Sequence, residues 1–356
     1  MGKIDWLNKL ADSNINYNLG AGIPPLELYP NFSPVDLLSN SISPINKMIS
    51  YHSTQGFILE TASKVLEINE SISIDSKNIV ITNGVQEAIA ITIACFKSKT
   101  IACLDPSYPG FIETAESLGC KVIIIQQENW LSEIQKLPEE SLFYISSDFS
   151  NPLGISLNSS EREILISIAS RNNFFIFDDT TYRPFNINHS KPSLFSLNKE
   201  HVIHAISFSK ILAPGLRSAF VYLPSKLINN FISKKANMSL NNSGITQIIL
   251  ESWLIQQNFS ITNHLGLLKS RLIKNSNVLK DHGINYDGGF FCSMVLNHKV
   301  DFRLCDLILL KENIGIVPMS LFTNNVHYEN HMRLCIANIE DNDLHIVLNK
   351  LKNFNI

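Results

Sequence analysis

Short apolar runs alternate with segments of helix length between residues 77 and 223. The runs that predict strands cover residues 78–82, 100–104, 121–125, 142–146, 174–177, 202–207 and 219–223. Residues 86–96 and 160–170 have the length and pattern of helices that separate such strands. Uniformly apolar strands are typical of parallel sheets, because helices cover both faces of the sheet. The pattern therefore predicts an α/β fold with a large, mostly parallel sheet.

The segments on either side of this region have a different pattern. The first 45 residues are rich in Asn, Pro and Gly and predict a short helix followed by an extended arm around Gly20–Pro25. Beyond Ser225 the chain becomes helical. It then predicts strands at 286–297 and 332–337 and helices at 305–312 and 340–352. We expect a large domain at 41–255, with residues 1–40 and 256–356 forming the arm and a smaller α+β domain.

Composition narrows the possible partners. The chain has 356 residues, 45% hydrophobic and 17% charged, with a net charge of -3. These values are typical of a globular protein of two domains and do not favour nucleic acid as a partner. No apolar run approaches the roughly 18 residues that cross a bilayer, and residues 1–6 lack the apolar core of a signal peptide. We expect a cytoplasmic protein that binds neither nucleic acid nor membrane.

Cysteine and histidine spacing gives little indication of a metal site. The six cysteines occur singly and predict buried, reduced thiols. His327 and His331 are four residues apart, a spacing that would place them on one face of a helix. A zinc site needs further ligands, and the sequence offers no clear third one. We therefore expect no metal.

Polar and aromatic residues follow several of the predicted strands. They are Gly84 with Gln86, Tyr108, Asn151, Asp179 with Tyr182, and Ser207 with Ser209 and Lys210. In open α/β sheets, ligands bind beyond the carboxyl ends of the strands. We expect these side chains to share one site.

Lys210 indicates the chemistry of that site. The strand before it supplies two hydroxyls, Ser207 and Ser209, and Arg217 follows seven residues after the lysine. A lysine amine beside phosphate-binding groups is what a Schiff-base cofactor such as pyridoxal phosphate requires. The amides of Val85 and Gln86, which open a helix behind Gly84, would add an anion site, or else form an ordinary helix start.

The other strand-end residues each have two interpretations. Asp179 would keep a pyridine nitrogen protonated or close a turn, and Tyr182 would reach the ring hydroxyl. Asn151 closes its turn or donates to that hydroxyl, and Tyr108 stacks on a ring or simply packs. Arg333 lies in an apolar strand, where a guanidinium needs a carboxylate partner. That partner is a structural acid or the α-carboxylate of a substrate.

The stretch Ser207-Phe208-Ser209-Lys210 with Pro214-Gly215-Leu216-Arg217 resembles the SxSKxxxPGxR signature of fold-type I pyridoxal-phosphate enzymes. Residues 84–86, 151–154 and 179–182 resemble further motifs of the class I/II aminotransferases, nearest to the kynurenine/2-aminoadipate aminotransferase-like branch. Two departures stand out. Val85 replaces a frequent Ser, and Thr180-Thr181 precede Tyr182 without the usual Pro.

The resemblance implies a homodimer with shared active sites. Tyr51 would reach the phosphate of the cofactor in the neighbouring subunit. The arm at Gly20–Pro24, with Gly22, would lie over the substrate entrance, and Arg333 and Asn151 would contact the substrate.

The predicted function is a pyridoxal-phosphate-dependent aminotransferase that moves an amino group from an L-amino acid to a 2-oxo acid through a Schiff base on Lys210. One alternative is another reaction of the same cofactor, as in a decarboxylase, lyase or oxidase of specialised metabolism. Another is a ligand sensor joined to a DNA-binding module. The second is not favoured, because the family-like region begins near Gly20 and leaves no room for a winged helix.

Overall fold

The structure is a computed structural model and describes residue 10 and residues 15–43, 46–188 and 191–354. The short helix expected at the start of the chain lies outside these residues. Strands are numbered in chain order from β1 (Tyr17–Asn18).

A seven-stranded sheet forms the centre of the molecule. Its strands are β2 (Ile79–Thr82), β3 (Ile101–Asp105), β4 (Val122–Gln126), β5 (Leu142–Ile145), β6 (Phe175–Asp179), β7 (Val202–Ser207) and β8 (Ala219–Tyr222). The spatial order is β2-β8-β7-β6-β5-β3-β4, and β8 is antiparallel to both its neighbours while the other neighbouring pairs are parallel. The predicted α/β fold with a mostly parallel sheet is confirmed.

Helices cover both faces of this sheet, which explains why the inner strands are apolar throughout. Those within this part of the chain are Leu59–Glu70, Val85–Cys95, Pro109–Ser117, Trp130–Ile134, Ser159–Asn172, Leu194–Leu197, Ile228–Met238 and Gly244–Gln256. The helix Ser159–Asn172 shows how sequence sets its bounds. Asn158 and Glu161 form a reciprocal capping box at its start, and Asn173 ends it in the left-handed conformation.

A smaller antiparallel sheet follows in the chain. Its order is β11-β12-β9, with β9 at Phe291–Val295, β11 at Val317–Pro318 and β12 at His331–Cys335. A further strand, β10 (Ile314–Gly315), pairs in parallel with β1 and so attaches the N-terminal arm. The helices of this part are Gly266–Asp281, Phe302–Glu312 and Asp341–Lys352, and short helices Pro34–Ser39 and Asn46–Ile49 lie in the N-terminal part. The domain boundaries proposed above stay a prediction.

One local expectation was wrong, and one possible arrangement is not found. The strand expected at 286–297 begins only at Phe291, because Gly288 and Gly289 have φ of 145° and 73° and pass close to Phe149. A Cβ atom on either glycine would lie within 2.5 Å of the Phe149 side chain. His327 and His331 do not share a helix, since a 3-10 turn (Val326–Tyr328) holds the first and β12 begins with the second.

All six cysteines lie in the described part of the chain and none forms a disulfide. Four of them are buried, and Cys95 and Cys120 are partly exposed, so the expectation of buried thiols holds for four. Within the described ranges, His, Cys, Asp and Glu side chains form no group of three or more suited to a metal ion. No helix in these ranges is both long and apolar enough to span a bilayer.

A buried ion network supports two of the loops at the carboxyl ends of the strands. Asp148, after β5, pairs with Arg162 at 2.6 Å and with Arg183 at 2.8 Å. Arg183, after β6, also pairs with Glu70 at 2.6 Å. Burial alone would raise the pKa of Asp148, but the Arg183 and Arg162 guanidinium groups lower it below its ordinary value. The network therefore ties both loops to two helices.

Arg162→Leu is expected to lower the free energy of unfolding by about 3 kcal/mol. The substitution leaves Asp148 with one of its two cations and removes donors from the carbonyls of Ser147, Leu157 and Pro192. The exposed pair Lys136–Glu133 provides the control, because Lys136→Ala should change stability by about 0.5 kcal/mol or less. Urea unfolding followed by tryptophan fluorescence measures both. Equal effects of the two substitutions would contradict a supporting role for the network.

Candidate active site

A cavity of about 230 Å³ opens at the carboxyl ends of β5, β6 and β7, below the N-terminal arm and beside β12. It collects most of the residues that the sequence singled out. They are Gly22, Val85, Gln86, Tyr108, Asn151, Asp179, Tyr182, Ser207, Ser209, Lys210, Arg217 and Arg333. Of the remaining two, Gly84 packs against Arg217, whereas Tyr51 lies outside the cavity and is 88% exposed.

Lys210 faces this cavity without an opposing charge. It follows β7 by three residues and forms no ion pair with any acid in the described ranges. The pKa of its amine is lowered to about 8, mainly by burial. The nearby Arg217 and Arg333 act in the same direction, and Cys335 acts against them. A larger share of the amine is therefore uncharged at neutral pH than in a free lysine, which suits a nucleophile.

The Arg217 side chain and its surroundings form an anion site. Arg217 has a left-handed backbone (φ 48°), and its guanidinium donates to Ser209 Oγ at 3.1 Å. Gly84, with φ of 79°, is needed here because a Cβ atom would lie 2.6 Å from that guanidinium. The helix Val85–Cys95 begins beside it and presents its positive end. No acid in the described ranges pairs with Arg217, so this donor set fits a phosphate.

Asp179 is the buried acid of the cavity. Its carboxylate accepts hydrogen bonds from the Thr181 amide at 3.1 Å, the Thr181 hydroxyl at 2.6 Å and the Tyr144 hydroxyl at 3.0 Å. Burial raises its pKa, and these three donors act in the opposite direction. The sequence reasoning missed Tyr144, although the alternation of side chains along β5 places it on the cavity face.

Tyr108 and Gln86 are joined on one wall of the cavity. The Tyr108 hydroxyl donates to Gln86 Oε1 at 3.1 Å, and Gln86 Nε2 donates to the Gly110 carbonyl and to Thr114. Burial raises the pKa of Tyr108 to about 12, so the phenol remains a donor. The Gln86 side chain is thus engaged with protein, and its backbone amide is the part suited to an anion.

Arg333 forms the opposite wall. The guanidinium lies between the rings of Phe291 and Phe322, at 4.4 and 5.0 Å from their centroids. It donates to Asn151 Oδ1 at 3.0 Å and to the carbonyl of Gly20. No Asp or Glu of the described residues pairs with it, so the structural-acid alternative has no support there. Burial lowers the pKa of Arg333 to about 10, which still leaves it a cation at neutral pH.

The N-terminal arm forms the roof. Asn18 Oδ1 accepts from the amides of Gly20 and Ala21 at 3.2 and 3.0 Å, which fixes the turn that leads over the cavity. Gly22 is required by close packing, since a Cβ atom there would lie 2.8 Å from the Phe291 ring and 3.7 Å from Tyr182 Oη. The arm thus brings backbone, with little side-chain bulk, close to Tyr182.

Comparisons with known proteins agree with this geometry. The sequence model of the family "Aminotransferase class I and II" matches residues 15–351. The HTH-type transcriptional regulator NorG of Staphylococcus aureus (strain USA300) is 25% identical over 94% of this chain and 79% of its own length. The (S)-3,5-dihydroxyphenylglycine transaminase of Amycolatopsis orientalis is 25% identical over 82% of this chain and 74% of its own.

Solved structures share the fold at low identity. LysN, an alpha-aminoadipate aminotransferase from Thermus thermophilus, superposes with a TM-score of 0.83 at 22% identity, covering 99% of this chain and 94% of its own. Pyrococcus horikoshii kynurenine aminotransferase gives 0.84 at 22% identity, covering 98% and 92%.

The family match extends from the N-terminal arm to the last helix, so it includes the cavity and both sheets. It confirms the predictions of a fold-type I fold, a pyridoxal-phosphate cofactor and an aminotransferase. The chain belongs to the aminotransferase class I and II family.

Proposed function

We propose that the cavity around Lys210 transfers an amino group from an L-amino acid to a 2-oxo acid. The observation that carries this proposal is that one cavity combines three features. They are a partly neutral lysine amine, a phosphate-binding group of donors, and a guanidinium that no described acid neutralises. These groups correspond to the cofactor's aldehyde, the cofactor's phosphate and the substrate's carboxylate.

Each part of the cofactor has a matching group in the chain. Ser207, Ser209, Arg217 and the amides of Val85 and Gln86 would hold the phosphate. Asp179 would hold a proton on the ring nitrogen, Asn151 and Tyr182 would contact the ring oxygen, and Tyr108 would pack against the ring. Pyridoxal phosphate, when bound, supplies an aldehyde that captures amines and a ring that accepts electrons from Cα.

Lys210 and Arg333 would act on the substrate. The Lys210 amine would hold the cofactor at rest and, when freed by the substrate amine, would serve as the base for the proton on the substrate Cα. Arg333 binds the α-carboxylate through its fork of donors, and the flanking rings of Phe291 and Phe322 keep the guanidinium plane fixed. A fixed carboxylate fixes the orientation of the Cα–H bond, which decides the bond that breaks.

We also infer a homodimer in which Tyr51 serves the cofactor of the partner subunit. Leu26, Val35, Ile42, Ile49 and Tyr51 are each at least 69% exposed and lie within 26 residues of chain. Such a concentration of exposed apolar side chains supports an interface.

The six cysteines without disulfides support a cytoplasmic location, where thiols stay reduced, and cell fractionation tests it.

The similarity to NorG favours a second candidate, in which the chain binds an amino acid as a signal without turnover. The cavity favours turnover instead, because it holds the lysine amine, the phosphate donors and the guanidinium that transamination uses. The two candidates differ in whether a bound amino acid is converted.

Single-turnover reactions with a panel of L-amino acids test the main proposal. The purified, cofactor-loaded protein is expected to convert at least one of them to its 2-oxo acid while the cofactor becomes its pyridoxamine form. Absorbance and mass spectrometry follow both products, and Lys210→Ala should show neither. Release of CO₂ or ammonia without a change in cofactor form would indicate a decarboxylase, lyase or oxidase. Binding without any conversion would favour the sensor.

Arg333→Gln is expected to raise the KM for the accepted amino acid about 100-fold, because a charged carboxylate loses its charged partner. The amine that lacks only the carboxyl group should react equally slowly with both proteins. Arg303→Gln, on the exposed face of the helix Phe302–Glu312, serves as the control and should leave KM unchanged. Steady-state kinetics measures all three proteins with both substrates, and an unchanged KM in Arg333→Gln would refute the assignment.

Sedimentation of the loaded protein is expected to give a dimer, and Tyr51→Phe should keep that dimer while releasing the cofactor several times faster. The lost phenol donor weakens only the contact with the phosphate. Tyr328→Phe is the control, because Tyr328 lies in the 3-10 turn Val326–Tyr328, just before β12 of the small sheet. A monomer that retains its cofactor would contradict the shared site.

A further inference from the structure

The Asp179 carboxylate is held by three donors, two from the loop after β6 and one from strand β5. The Thr181 amide and hydroxyl both donate to Oδ1, at 3.1 and 2.6 Å, and the Tyr144 hydroxyl donates to Oδ2 at 3.0 Å. The carboxylate still borders the cavity, with the residue 8% exposed. Its acceptor positions towards the protein are thus occupied, and those towards the cavity remain for a ligand.

Strand register explains why Tyr144 reaches this carboxylate. Tyr144 of β5 pairs with Phe177 of β6, and Asp179 lies two residues farther along β6. Residues two apart on a strand face the same side, so Tyr144 and Asp179 share the cavity face. The Tyr144 ring is stacked on Phe111 at 4.2 Å and lies near Phe177 at 5.9 Å. These contacts fix the ring, so the hydroxyl meets Asp179 without a large loss of side-chain entropy.

Thr181 is a feature of this particular chain. It stands directly before Tyr182, where the motif that this stretch resembles usually has proline. Proline has neither a backbone N–H nor a hydroxyl, so it would supply neither of the two bonds to Oδ1. Thr181 therefore adds two donors to the carboxylate at a position where none is expected.

Two opposing effects act on the pKa of Asp179, which overall lies above its ordinary value. None of the described Lys, Arg or His side chains pairs with Asp179, and the other titratable groups near it are the phenols of Tyr108 and Tyr182. Burial raises the pKa of Asp179, whereas the bonds from Thr181 and Tyr144 lower it. Burial also raises the pKa of Tyr144 well above its ordinary value, so Tyr144 remains a donor throughout the neutral range.

We propose that Thr181 and Tyr144 are positioning residues that keep Asp179 ionised and aimed at the ring nitrogen of the cofactor. This inference rests on the proposed function, in which Asp179 contacts that nitrogen. With the donors present, the shared proton stays on the nitrogen and the ring accepts electrons well. Without them, the carboxylate becomes more basic and the proton moves from the nitrogen to the acid.

The test uses holoenzyme loaded with cofactor that carries ¹⁵N in the ring. Thr181→Val and Tyr144→Phe each remove one hydroxyl and keep the shape of the side chain. Thr180→Val is the matched control, because the Thr180 hydroxyl donates to the Ala205 carbonyl at 2.8 Å and not to Asp179. Thr181→Ser keeps the donor and serves as the conservative variant. Melting temperatures establish that each variant is folded.

The ¹⁵N resonance is expected to move towards that of unprotonated pyridine in Thr181→Val and in Tyr144→Phe, and farther in the double variant. The ratio of protonated to unprotonated ring nitrogen should fall about tenfold for each hydroxyl removed. Thr180→Val and Thr181→Ser should match the unsubstituted protein, and kcat should fall with the resonance shift while KM changes little.

The result that overturns the inference is a resonance unchanged in Thr181→Val and Tyr144→Phe although Asp179→Asn moves it. The assignment of Asp179 would then stand and its donors would have only a structural role. A resonance that Asp179→Asn also leaves unchanged would instead refute the contact between Asp179 and the ring, and this inference with it. Amino transfer itself would then be decided by the single-turnover reactions.

Discussion

The parallel direction of the central strands is the constraint on which the site depends. Because β5, β6 and β7 run the same way, the segments that follow them begin at one edge of the sheet. Asn151, Asp179 and Lys210, which are far apart in the chain, meet there because each follows or ends one of these strands. The ion pairs of Asp148 with Arg162 and Arg183 then fix the loops after β5 and β6. Burying these charges costs desolvation energy, and the pairing holds the site in place.

The buried charged side chains of the cavity lack the oppositely charged partners that a protein core normally provides. Arg217, Lys210 and Arg333 have no described acid as partner, and Asp179 has no described base. Each group is kept in place by neutral contacts, such as the rings around Arg333 and the hydroxyls around Asp179. The arrangement is complementary to a ligand with two separated anions and one cation, which is what a phosphorylated pyridinium with an amino-acid carboxylate presents.

The sequence was most informative where local pattern and chemistry coincide. The strand at 202–207 agrees with its prediction at both ends, because its apolar run stops abruptly at Ser207. The candidate cofactor site stood out in the sequence because a lysine, two serines and an arginine lie within eleven residues. The strand at 286–297 was overestimated, since the approach of Gly288 and Gly289 to Phe149 depends on a loop more than 130 residues away. Tyr144 was missed because its role depends on the register between two strands, and register is not visible in one strand's pattern.

The bond from Arg333 to the Gly20 carbonyl has a consequence for how this protein admits its substrate. The guanidinium that we propose binds the substrate carboxylate also holds the N-terminal arm, so the two contacts would share the donors of one planar group. The coupling is reciprocal. If binding of a carboxylate weakens the attachment of the arm, attachment of the arm weakens binding of the carboxylate by the same free energy. A substitution in the arm far from the reacting atoms can therefore alter selectivity between charged and uncharged ligands. The position of the N-terminal arm and the affinity for the substrate carboxylate would thus both depend on the Arg333 guanidinium.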